Sequence, residues 1–313
     1  MAIPREPQPL NLVQWLVRTA VFCVFYGKSL ELRTRLAYSP TYFAALLFWP
    51  FQNNLFHNLI VHTQRCYGTL LVSINQYFAP SNFIITVDET AKGVVKQTWN
   101  GAKIELDIPE RIILIANHQG MRFFQFIFLK RRWAADKGAL VKVMNSLASS
   151  KDPLWLLIFP EGTVVCEATR KSSKNFAEKI GTVDHEHLLL PRSTGLNYCT
   201  QTLRKSVSHI YDLTIGLEGI SAGQYPEDIY TLRKIYFEAK YPRNIHIHIR
   251  RYAISKIPDD EDKFAEWLRQ RWVEKDALMS EFYTKGKFPT SESSKVVPLK
   301  MNSVFELYVL QHM

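Results

Sequence analysis

Two uninterrupted apolar runs stand out in the middle of the chain. Arg111 to Ala116 reads Arg-Ile-Ile-Leu-Ile-Ala, and Leu154 to Phe159 reads Leu-Trp-Leu-Leu-Ile-Phe. A strand that is buried on both faces shows a continuous run of this kind, whereas a half-buried strand alternates apolar and polar residues. Both runs are therefore predicted to be strands inside a parallel sheet.

Other segments follow the periods of strands and helices. Strands are predicted at Asn82 to Val87, His209 to Leu217 and Ile245 to Ala253, and Asp88 to Gly101 is expected to be a polar linker or a hairpin. Helices are predicted at Arg132 to Ser149, Glu167 to Gly181, Gly195 to Ser206 and Asp260 to Phe282. Because strands and helices alternate, the predicted fold class is α/β, with a mostly parallel sheet flanked by helices.

The N-terminal part of the chain is unusually poor in charge. Leu10 to Gly27 contains Arg18 as its only charged residue, and Leu36 to Gln64 contains none. Pro50 interrupts the second stretch, so it suits a re-entrant or interfacial pair of helices better than one continuous span. A buried core helix is the alternative. We expect an N-terminal membrane-associated helical segment.

The charge balance favours anionic partners without choosing among them. Lys plus Arg number 39 against 29 for Asp plus Glu, a formal net charge of +10. Nucleic acid, the phosphates of CoA and acidic lipid headgroups would all be attracted. The four cysteines lie far apart with no C-x-x-C spacing, which argues against a zinc site and against a disulfide scaffold.

Two histidine-containing segments invite comparison with metal sites. Asp184 to His187 reads Asp-His-Glu-His, and this spacing matches no standard zinc arrangement. His246 and His248 alternate with isoleucines, so both are predicted on one face of their strand, as histidines of a polar face. No metal site is expected.

Candidate catalytic residues follow the two apolar runs directly. Asn117 and His118 come after the first, and Pro160-Glu161-Gly162-Thr163 comes directly after the second. Chemistry in open α/β sheets collects at the carboxyl ends of the strands. A histidine there can act as a general base near neutral pH, although it could instead cap the following turn.

The Pro-Glu-Gly-Thr segment has the composition of a strand-to-turn element. Gly162 permits tight backbone geometry, Glu161 can accept a hydroxyl or orient a base, and Thr163 can cap the helix that follows. The sequence therefore predicts a carboxylate beside the histidine at one edge of the sheet.

A run of aromatic and basic residues follows His118. Gly120 to Trp133 interleaves five aromatic side chains with cations that include Lys130 and Arg131. Its basic end suits a phosphate, and its aromatic part suits an acyl chain or a core strand. Arg170 lies on the predicted helix after the Pro-Glu-Gly-Thr segment and could reach a phosphate, although such residues often form a solvated face.

These motifs, in this order, resemble the glycerophospholipid acyltransferase family. The matching blocks are Asn117-His118, Gly120 to Arg131, Phe159 to Thr163 and Leu190-Pro191-Arg192. They are most similar to the eukaryotic branch that acts on lysophosphatidate, lysophosphatidylinositol or lysocardiolipin. The likeness extends from about Leu70 to Phe288, and the ordered set of motifs makes it specific.

The resemblance implies an acyl-CoA-dependent O-acyltransferase of phospholipid biosynthesis or remodelling. His118 would deprotonate the free hydroxyl of a lysophospholipid, which attacks the thioester directly. The implied substrate-binding residues are Asn117, Lys130, Arg131, Glu161, Gly162, Thr163, Arg170, Pro191 and Arg192. No metal or prosthetic group is expected, and acyl-CoA is a co-substrate.

The resemblance also implies a cellular setting, and the pattern of apolar and charged residues predicts a domain organisation. The expected partners are lysophospholipid, acyl-CoA and membrane lipid rather than nucleic acid, at the membrane of the endoplasmic reticulum. We expect a membrane-associated helical hairpin at residues 1–75, an acyltransferase-like α/β domain at residues 76–290 and a C-terminal tail at residues 291–313.

One departure from the family pattern affects the predicted activity. The family's catalytic block is His, four residues, then Asp, but the fifth residue after His118 is Phe123 and the first carboxylate is Asp136. Gln119 also directly precedes Gly120, which already begins the next block, as if an internal segment had been removed by splicing, by a gene-model error or by genuine loss.

The missing Asp would have oriented the imidazole of His118 and stabilised its cation. In the Ser-His-Asp triad of serine proteases, replacing the orienting Asp lowers kcat by about 10⁴. The chain is therefore predicted to be weakly active or inactive. The alternative is a non-catalytic relative that keeps a lipid- or CoA-binding surface.

Overall fold

A computed structural model of the chain describes residues 10–23, 72–97, 104–118 and 133–298. Two compact units are distinguished. The larger unit consists of Asn82–Ile229 and Asn244–Val297, and the smaller one of Met1–Ser81, Tyr230–Arg243 and Pro298–Met313. The domain boundaries expected from the sequence stay a prediction.

The described residues form eight strands and eight α-helices. The strands are β1 (Asn82–Val87), β2 (Val95–Gln97), β3 (Ile104–Leu106), β4 (Arg111–Ala116), β5 (Leu154–Ile158), β6 (His209–Leu217), β7 (Asn244–Ala253) and β8 (Lys295–Pro298). The α-helices are α1 (12–23), α2 (72–78), α3 (Trp133–Ser149), α4 (Glu167–Lys179), α5 (Ser193–Leu203), α6 (Pro226–Ile229), α7 (Leu232–Glu238) and α8 (Glu261–Lys285). Single 3₁₀ turns occur at Glu89–Ala91 and Ile254–Lys256.

Six of these described strands form a mixed sheet in the order β5-β4-β6-β7-β1-β8. β4 runs parallel to both β5 and β6, and β1 runs parallel to β7. β6 and β7 are antiparallel. The predicted α/β class with a mostly parallel sheet is confirmed, whereas the antiparallel pair was not expected. Because β4, β5 and β6 are parallel, their carboxyl ends lie at one edge of the sheet.

The sheet is covered on both faces, which explains the uninterrupted apolar runs. Ile112 and Ile113 are neighbours on β4 that point to opposite faces, and both are completely buried. Ile113 packs in a core formed with α3, α5 and α8. Ile112 packs with residues around the β2–β3 hairpin, among them Val94 and Val95.

Helix α8 lies against the sheet with a nearly continuous apolar stripe. Phe264, Leu268, Trp272 and Met279 on this helix are completely buried, at the spacing of one helical face. Gly216 of β6 makes the close approach possible. A Cβ added at that position would lie 2.8 Å from the ring of Phe282, so a larger residue would force the ring or the helix to shift.

In the described part of the smaller unit, one arginine joins three segments. The guanidinium of Arg18 on α1 donates hydrogen bonds to the carbonyls of Phe78, Ile235 and Tyr236, at 2.8, 2.8 and 2.9 Å. Carbonyls at the ends of helices have no partner within their own helix. Arg18, the only charge in the apolar run from Leu10 to Gly27, therefore satisfies the last turns of two helices.

The described part of the N-terminus leaves several apolar side chains of α1 in solvent. Leu12, Val13 and Leu16 are more than half exposed, at 72%, 67% and 52%. Among the described residues, no helix combines the length and the apolar character needed to cross a bilayer. The uncharged stretch from Leu36 to Gln64 lies outside the described residues.

Candidate active site

Asn117 extends the pairing of β4 with β6 beyond the end of the strand. Its side-chain amide donates to the carbonyl of Ile215 at 3.0 Å and accepts from the Ile215 N–H at 2.7 Å. The carboxamide thus replaces one peptide group of the ladder, and Asn117 is completely buried. This pair of bonds fixes the backbone from which His118 projects.

His118 meets the Pro-Glu-Gly-Thr segment at the carboxyl edge of the sheet. Its backbone N–H donates to Oε1 of Glu161 at 3.4 Å, and its carbonyl accepts from the N–H of Val165 at 3.4 Å. The imidazole lies beside the ring of Phe159, with 4.5 Å between the ring centroids. Parallel pairing of β4 with β5 brings the two motifs together, as the sequence predicted for the ends of neighbouring strands.

Glu161 is a buried carboxylate with neutral donors around one oxygen. Oε1 accepts from Nε1 of Trp272 at 3.4 Å as well as from the His118 backbone. Burial raises the pKa of Glu161 to about 7, although the positive charge of Lys275 acts in the opposite direction. The group can therefore hold or release a proton near neutral pH.

The glycine of this segment closes a tight turn. The N–H of Gly162 donates to the carbonyl of Phe159 at 2.9 Å, and its φ of +70° lies in the left-handed region that favours glycine. The carbonyl of Pro160 accepts from the N–H of Arg192 at 2.8 Å. This hydrogen bond therefore connects the Phe159 to Thr163 motif with the Leu190-Pro191-Arg192 motif.

The expectation that Thr163 caps the following helix was wrong. Helix α4 begins at Glu167, and its N-cap is Cys166. The N–H of Cys166 donates to Oγ1 of Thr169 at 2.8 Å. The extended residues between Thr163 and Cys166 move the start of the helix beyond the reach of a Thr163 cap, and Thr163 stays partly exposed in the turn.

Arg170 holds a neighbouring loop. One nitrogen of its guanidinium donates to the carbonyls of His185 and Leu188, at 2.9 and 2.6 Å, and lies 3.6 Å from a carboxylate oxygen of Asp184. These bonds use part of the donor capacity of the side chain. Contact of Arg170 with a substrate phosphate stays a prediction.

Leu190, Pro191 and Arg192 line an open groove with a volume of about 700 Å³. Phe176 of α4 and Ile180, which follows this helix directly, add apolar surface to it, and Arg192 is exposed. A groove with both a cation and apolar walls suits an amphiphile with an anionic headgroup. Lys130 and Arg131, with the rest of their block, lie outside the described residues.

The histidines considered as metal ligands are engaged within the protein. Nδ1 of His248 lies 3.1 Å from Oγ1 of Thr86, and His246 packs against the ring of Phe282. Both histidines are buried rather than on a polar face, because Phe282 and Phe288 cover them. Burial lowers the pKa of His248 to about 4. The described residues contain no group of three or more His, Cys, Asp or Glu that could hold a metal ion.

An ion cluster between α8 and the sheet was not predicted. Asp212 of β6 pairs with Arg250 of β7 at 2.5 Å and with the ammonium of Lys275 on α8. Lys275 also donates to the carbonyl of Leu213 at 2.6 Å. A signal was available, because Lys275 interrupts the apolar stripe of α8 and Asp212 interrupts an apolar strand. A charge on a buried face requires a partner.

The chain is similar to known acyltransferases. Residues 237–309 match the family model described as acyltransferase C-terminus. An uncharacterized acyltransferase of Schizosaccharomyces pombe is 31% identical over 306 residues, covering 86% of this chain and 85% of the relative.

Two further relatives carry names that state an acceptor. The 2-acyl-1-lysophosphatidylinositol acyltransferase of Saccharomyces cerevisiae is 37% identical over 321 residues, covering 77% of this chain and 80% of the relative. Lysocardiolipin acyltransferase 1 of Gallus gallus is 32% identical over 180 residues, covering 57% of this chain and 46% of the relative. No solved structure matches the chain.

Proposed function

The chain belongs to the glycerophospholipid acyltransferase family, and from this premise we propose that it transfers a fatty acyl group from acyl-CoA to the free hydroxyl of a lysophospholipid. The reaction would serve phospholipid biosynthesis or remodelling. The names of the relatives support a lysophospholipid acceptor, since they include lysophosphatidylinositol, lysocardiolipin and 1-acyl-sn-glycerol-3-phosphate acyltransferases.

The observation that carries the proposal is the meeting of His118 with the Glu161 turn at one sheet edge. The backbone N–H of His118 and Oε1 of Glu161 lie 3.4 Å apart. In the proposed reaction, the imidazole of His118 takes the proton of the acceptor hydroxyl. The hydroxyl oxygen then forms a bond to the thioester carbonyl carbon, the carbon–sulfur bond breaks, and the CoA thiolate receives the proton.

Substrate binding is proposed for the cations and the turn around this histidine. Gly162 and Thr163 lie in the turn, and Arg192 is bonded to it through the carbonyl of Pro160. Charge-assisted hydrogen bonds from an arginine to a phosphate would hold the acceptor while its hydroxyl faces the base. Lys130 and Arg131 are proposed to contribute on the basis of their motif. No metal or prosthetic group enters the proposal.

We also propose that the activity of this chain is impaired. The fifth residue after His118 is Phe123 in place of the Asp of the family pattern. The alignment with the Saccharomyces cerevisiae relative spans 321 positions, more than the 313 residues of this chain. That relative therefore has positions without a counterpart here, which supports the loss of an internal segment.

A non-catalytic lipid- or CoA-binding relative is the second candidate. It is favoured by the surroundings of Glu161, whose Oε1 accepts from the backbone of His118 and from Trp272. These two bonds hold the turn in place and do not require a reacting imidazole. The same groove could then bind an amphiphile without acyl transfer.

Association with the membrane of the endoplasmic reticulum is part of the proposal. The support is the uncharged stretch from Leu36 to Gln64 together with the lipid acceptors named for the relatives. A lysophospholipid and a long-chain acyl-CoA both partition to bilayers, so an enzyme that joins them gains from lying at the same surface.

An acyl-transfer assay tests the function and its impairment together. Membranes carrying this chain would be compared with membranes carrying a version in which a His-x4-Asp segment is restored after His118. We expect the chain to be slower by on the order of 10³- to 10⁴-fold, because Phe123 takes the place of the Asp that the family pattern has five residues after the histidine. Lysophosphatidylinositol and lysophosphatidate would serve as acceptors.

The control is the His118→Ala variant of the restored chain, which should fall to the background rate. Equal rates for the chain and its restored version would refute the impairment. Activity of the restored chain that survives His118→Ala would refute the role of His118 as general base. A restored chain with no activity on either acceptor would favour the non-catalytic candidate.

A further inference from the structure

One carboxylate on α8 collects three backbone donors from a single loop. Oδ1 of Asp276 accepts from the N–H groups of His187 and Leu188, at 2.8 and 3.0 Å, and Oδ2 accepts from the N–H of Glu186 at 2.9 Å. Hydrogen bonds to an ionised acceptor are about twice as strong as neutral ones. Asp276 therefore holds this loop strongly. We call residues 184–190 the clamped loop.

The same face of α8 adds two contacts to the clamped loop. Ser280, one turn after Asp276, lies with its Oγ 2.9 Å from Nε2 of His187. The ring of Tyr283 meets the His187 ring edge-on, with 4.9 Å between centroids. Asp276, Ser280 and Tyr283 follow the spacing of one helical face, so the loop is docked along the helix rather than at one point.

Helix α4 holds the clamped loop from its other side. Arg170 donates to two of its carbonyls, as described above. Oγ of Ser173 donates to the carboxylate of Asp184 at 2.7 Å and accepts from the N–H of Leu190 at 3.1 Å. The loop forms no helix or strand of its own, so these side-chain bonds decide its shape.

The clamped loop leads directly into the groove. Leu190 ends the loop, and Pro191 and Arg192 follow it in the groove wall. The backbone of Arg192 is bonded to the Pro-Glu-Gly-Thr turn through Pro160. A shift of the loop would therefore move the groove wall and the cation that it presents.

Helix α8 also contacts the turn beside His118, through Trp272. This residue lies one turn before Asp276 on α8, and its Nε1–H donates to Glu161. Two residues of one rigid helix thus hold the two segments that must align, the turn beside His118 and the loop that leads to Arg192. Rigid elements position site residues more accurately than loops do.

We propose that Asp276 is a positioning residue for the lysophospholipid acceptor. By fixing the clamped loop, its carboxylate sets the location of Pro191 and Arg192 in the groove that receives the acceptor headgroup. This inference rests on the proposed function, because it assigns that groove to the acceptor. Asp276 acts through the loop and touches no substrate.

The test replaces the carboxylate with an amide of the same shape. In Asp276→Asn, one oxygen becomes an NH₂ group that cannot accept from the backbone donors, and the negative charge is lost. Binding would be measured with the full chain in detergent, using lysophosphatidylinositol, lysophosphatidate and palmitoyl-CoA as separate probes. Amide hydrogen exchange of residues 184–190 would be followed in the same samples.

We expect the bound lysophospholipid to be held about 10-fold more weakly, since a charged hydrogen bond left unmade has an effect of this size. Exchange at Glu186, His187 and Leu188 should become faster, while affinity for palmitoyl-CoA stays within about twofold of the parent. The control is Glu281→Gln on the same helix, which makes the same charge change but loses only a pair with Lys285. It should leave all these measurements unchanged.

The possible results separate the inference from the function on which it rests. Unchanged exchange in Asp276→Asn would show that the carboxylate does not hold the loop. Faster exchange with unchanged lysophospholipid affinity, or equal loss for both classes of probe, would show a purely structural role, and in each case the inference is wrong. If the parent chain binds neither lysophospholipid, the proposed acceptor is wrong and the inference falls with it.

Discussion

Glu161 and Asp212 are two carboxylates closed off from solvent, with 4% and 0% of their surface exposed. Both lie within reach of the positive charge of Lys275. Burial acts to raise the pKa of each. For Glu161 burial prevails, and the pKa rises to about 7. For Asp212 the neighbouring cations outweigh burial, and the pKa lies below its ordinary value.

The difference lies in the partners rather than in the depth of burial. Asp212 contacts the ammonium of Lys275 and the guanidinium of Arg250 directly. Oε1 of Glu161 accepts from two neutral N–H groups, both at 3.4 Å. An ion in direct contact stabilises a buried carboxylate, whereas a neutral donor does so only weakly.

Asp212 therefore carries a permanent structural charge, whereas Glu161 is titratable. Asp212 stays ionised and ties α8 to the sheet through Lys275. Glu161, beside His118, changes its charge within the physiological pH range. A site for proton transfer requires a group of the second kind, and the neighbouring ion cluster keeps α8 in place around it.

The largest expected effect comes from removing the partner of Asp212. Lys275→Met leaves the Asp212 carboxylate buried with Arg250 as its remaining direct ion partner. We expect the free energy of unfolding to fall by about 3–5 kcal/mol, as for other buried pairs that lose one member. Urea denaturation followed by circular dichroism would measure the change.

Lys285→Met on the same helix is the matched control. The side chain of Lys285 is 60% exposed and pairs with Glu281, and we expect a change within about 0.5 kcal/mol. Similar losses in the two variants would show that the ion cluster does not anchor α8.

A smaller effect is expected from Glu161→Gln, and it depends on pH. The pKa of Glu161 is raised from 4.5 to about 7 by burial, so between these values the folded state binds more protons than the unfolded state. The free energy of unfolding of the parent should therefore fall as pH rises from about 4.5 to about 7. The loss should total about 3–3.5 kcal/mol, at about 1.4 kcal/mol for each unit of pKa shift.

Glu161→Gln should lack this part of the pH dependence. The free energy of unfolding of the variant minus that of the parent should therefore be larger at pH 8 than at pH 5. Unfolding titrations at several pH values measure it, with Glu281→Gln as a control that keeps the slope of the parent. The comparison between the two carboxylates would be wrong if Glu161→Gln kept that slope as well.

The smallest expected effect is a change in the pKa of Glu161 when its Trp272 donor is removed. Trp272→Phe removes the Nε1–H donor to Glu161 and keeps an aromatic ring. Because the donor favours the ionised carboxylate, its loss should raise the pKa of Glu161 further, by less than about one unit. The measurement is the midpoint of the pH-dependent part of the unfolding free energy.

Trp267→Phe provides the matched control. Trp267 lies on α8, as Trp272 does, and packs against Tyr252 of β7 and Phe264 of α8. Any cost of a smaller ring is independent of pH, so it does not move the midpoint. A midpoint that moves equally in both variants would contradict the assigned role of the Trp272 donor.

Strands with a strong apolar pattern were predicted well. β1, β4 and β6 have the bounds expected from the sequence, and β5 ends one residue earlier than expected. The parallel neighbours β4 and β5 then place His118 and Glu161 at one sheet edge. The roles of these two residues in catalysis stay predictions.

The direction of some strands and the shortest elements could not be predicted from the sequence pattern. The antiparallel pairing of β6 with β7 was missed, because periodicity carries no information about strand direction. β8 and the short helices α6 and α7 were also missed. Helices of four to seven residues are marginal in isolation and depend on tertiary packing.

The site shows the same division. The Asn-His and Pro-Glu-Gly-Thr motifs were visible as residues that follow apolar runs. The bonds that Asn117 makes to β6 and that Arg170 makes to the clamped loop were not visible. Each side chain can serve a ligand or a backbone group equally well, and only the neighbouring segment decides which it meets.

Local pattern was sufficient for the strongly apolar strands, for the family and for the absence of an Asp five residues after His118, since each depends on residues close together in the chain. The tertiary structure alone decided that α8 supplies Trp272, Lys275 and Asp276 to segments about 60 to 110 residues away. It also decided which buried carboxylate is charged. Protonation depends on burial and on the nearest ion, and both arise only when distant segments pack together.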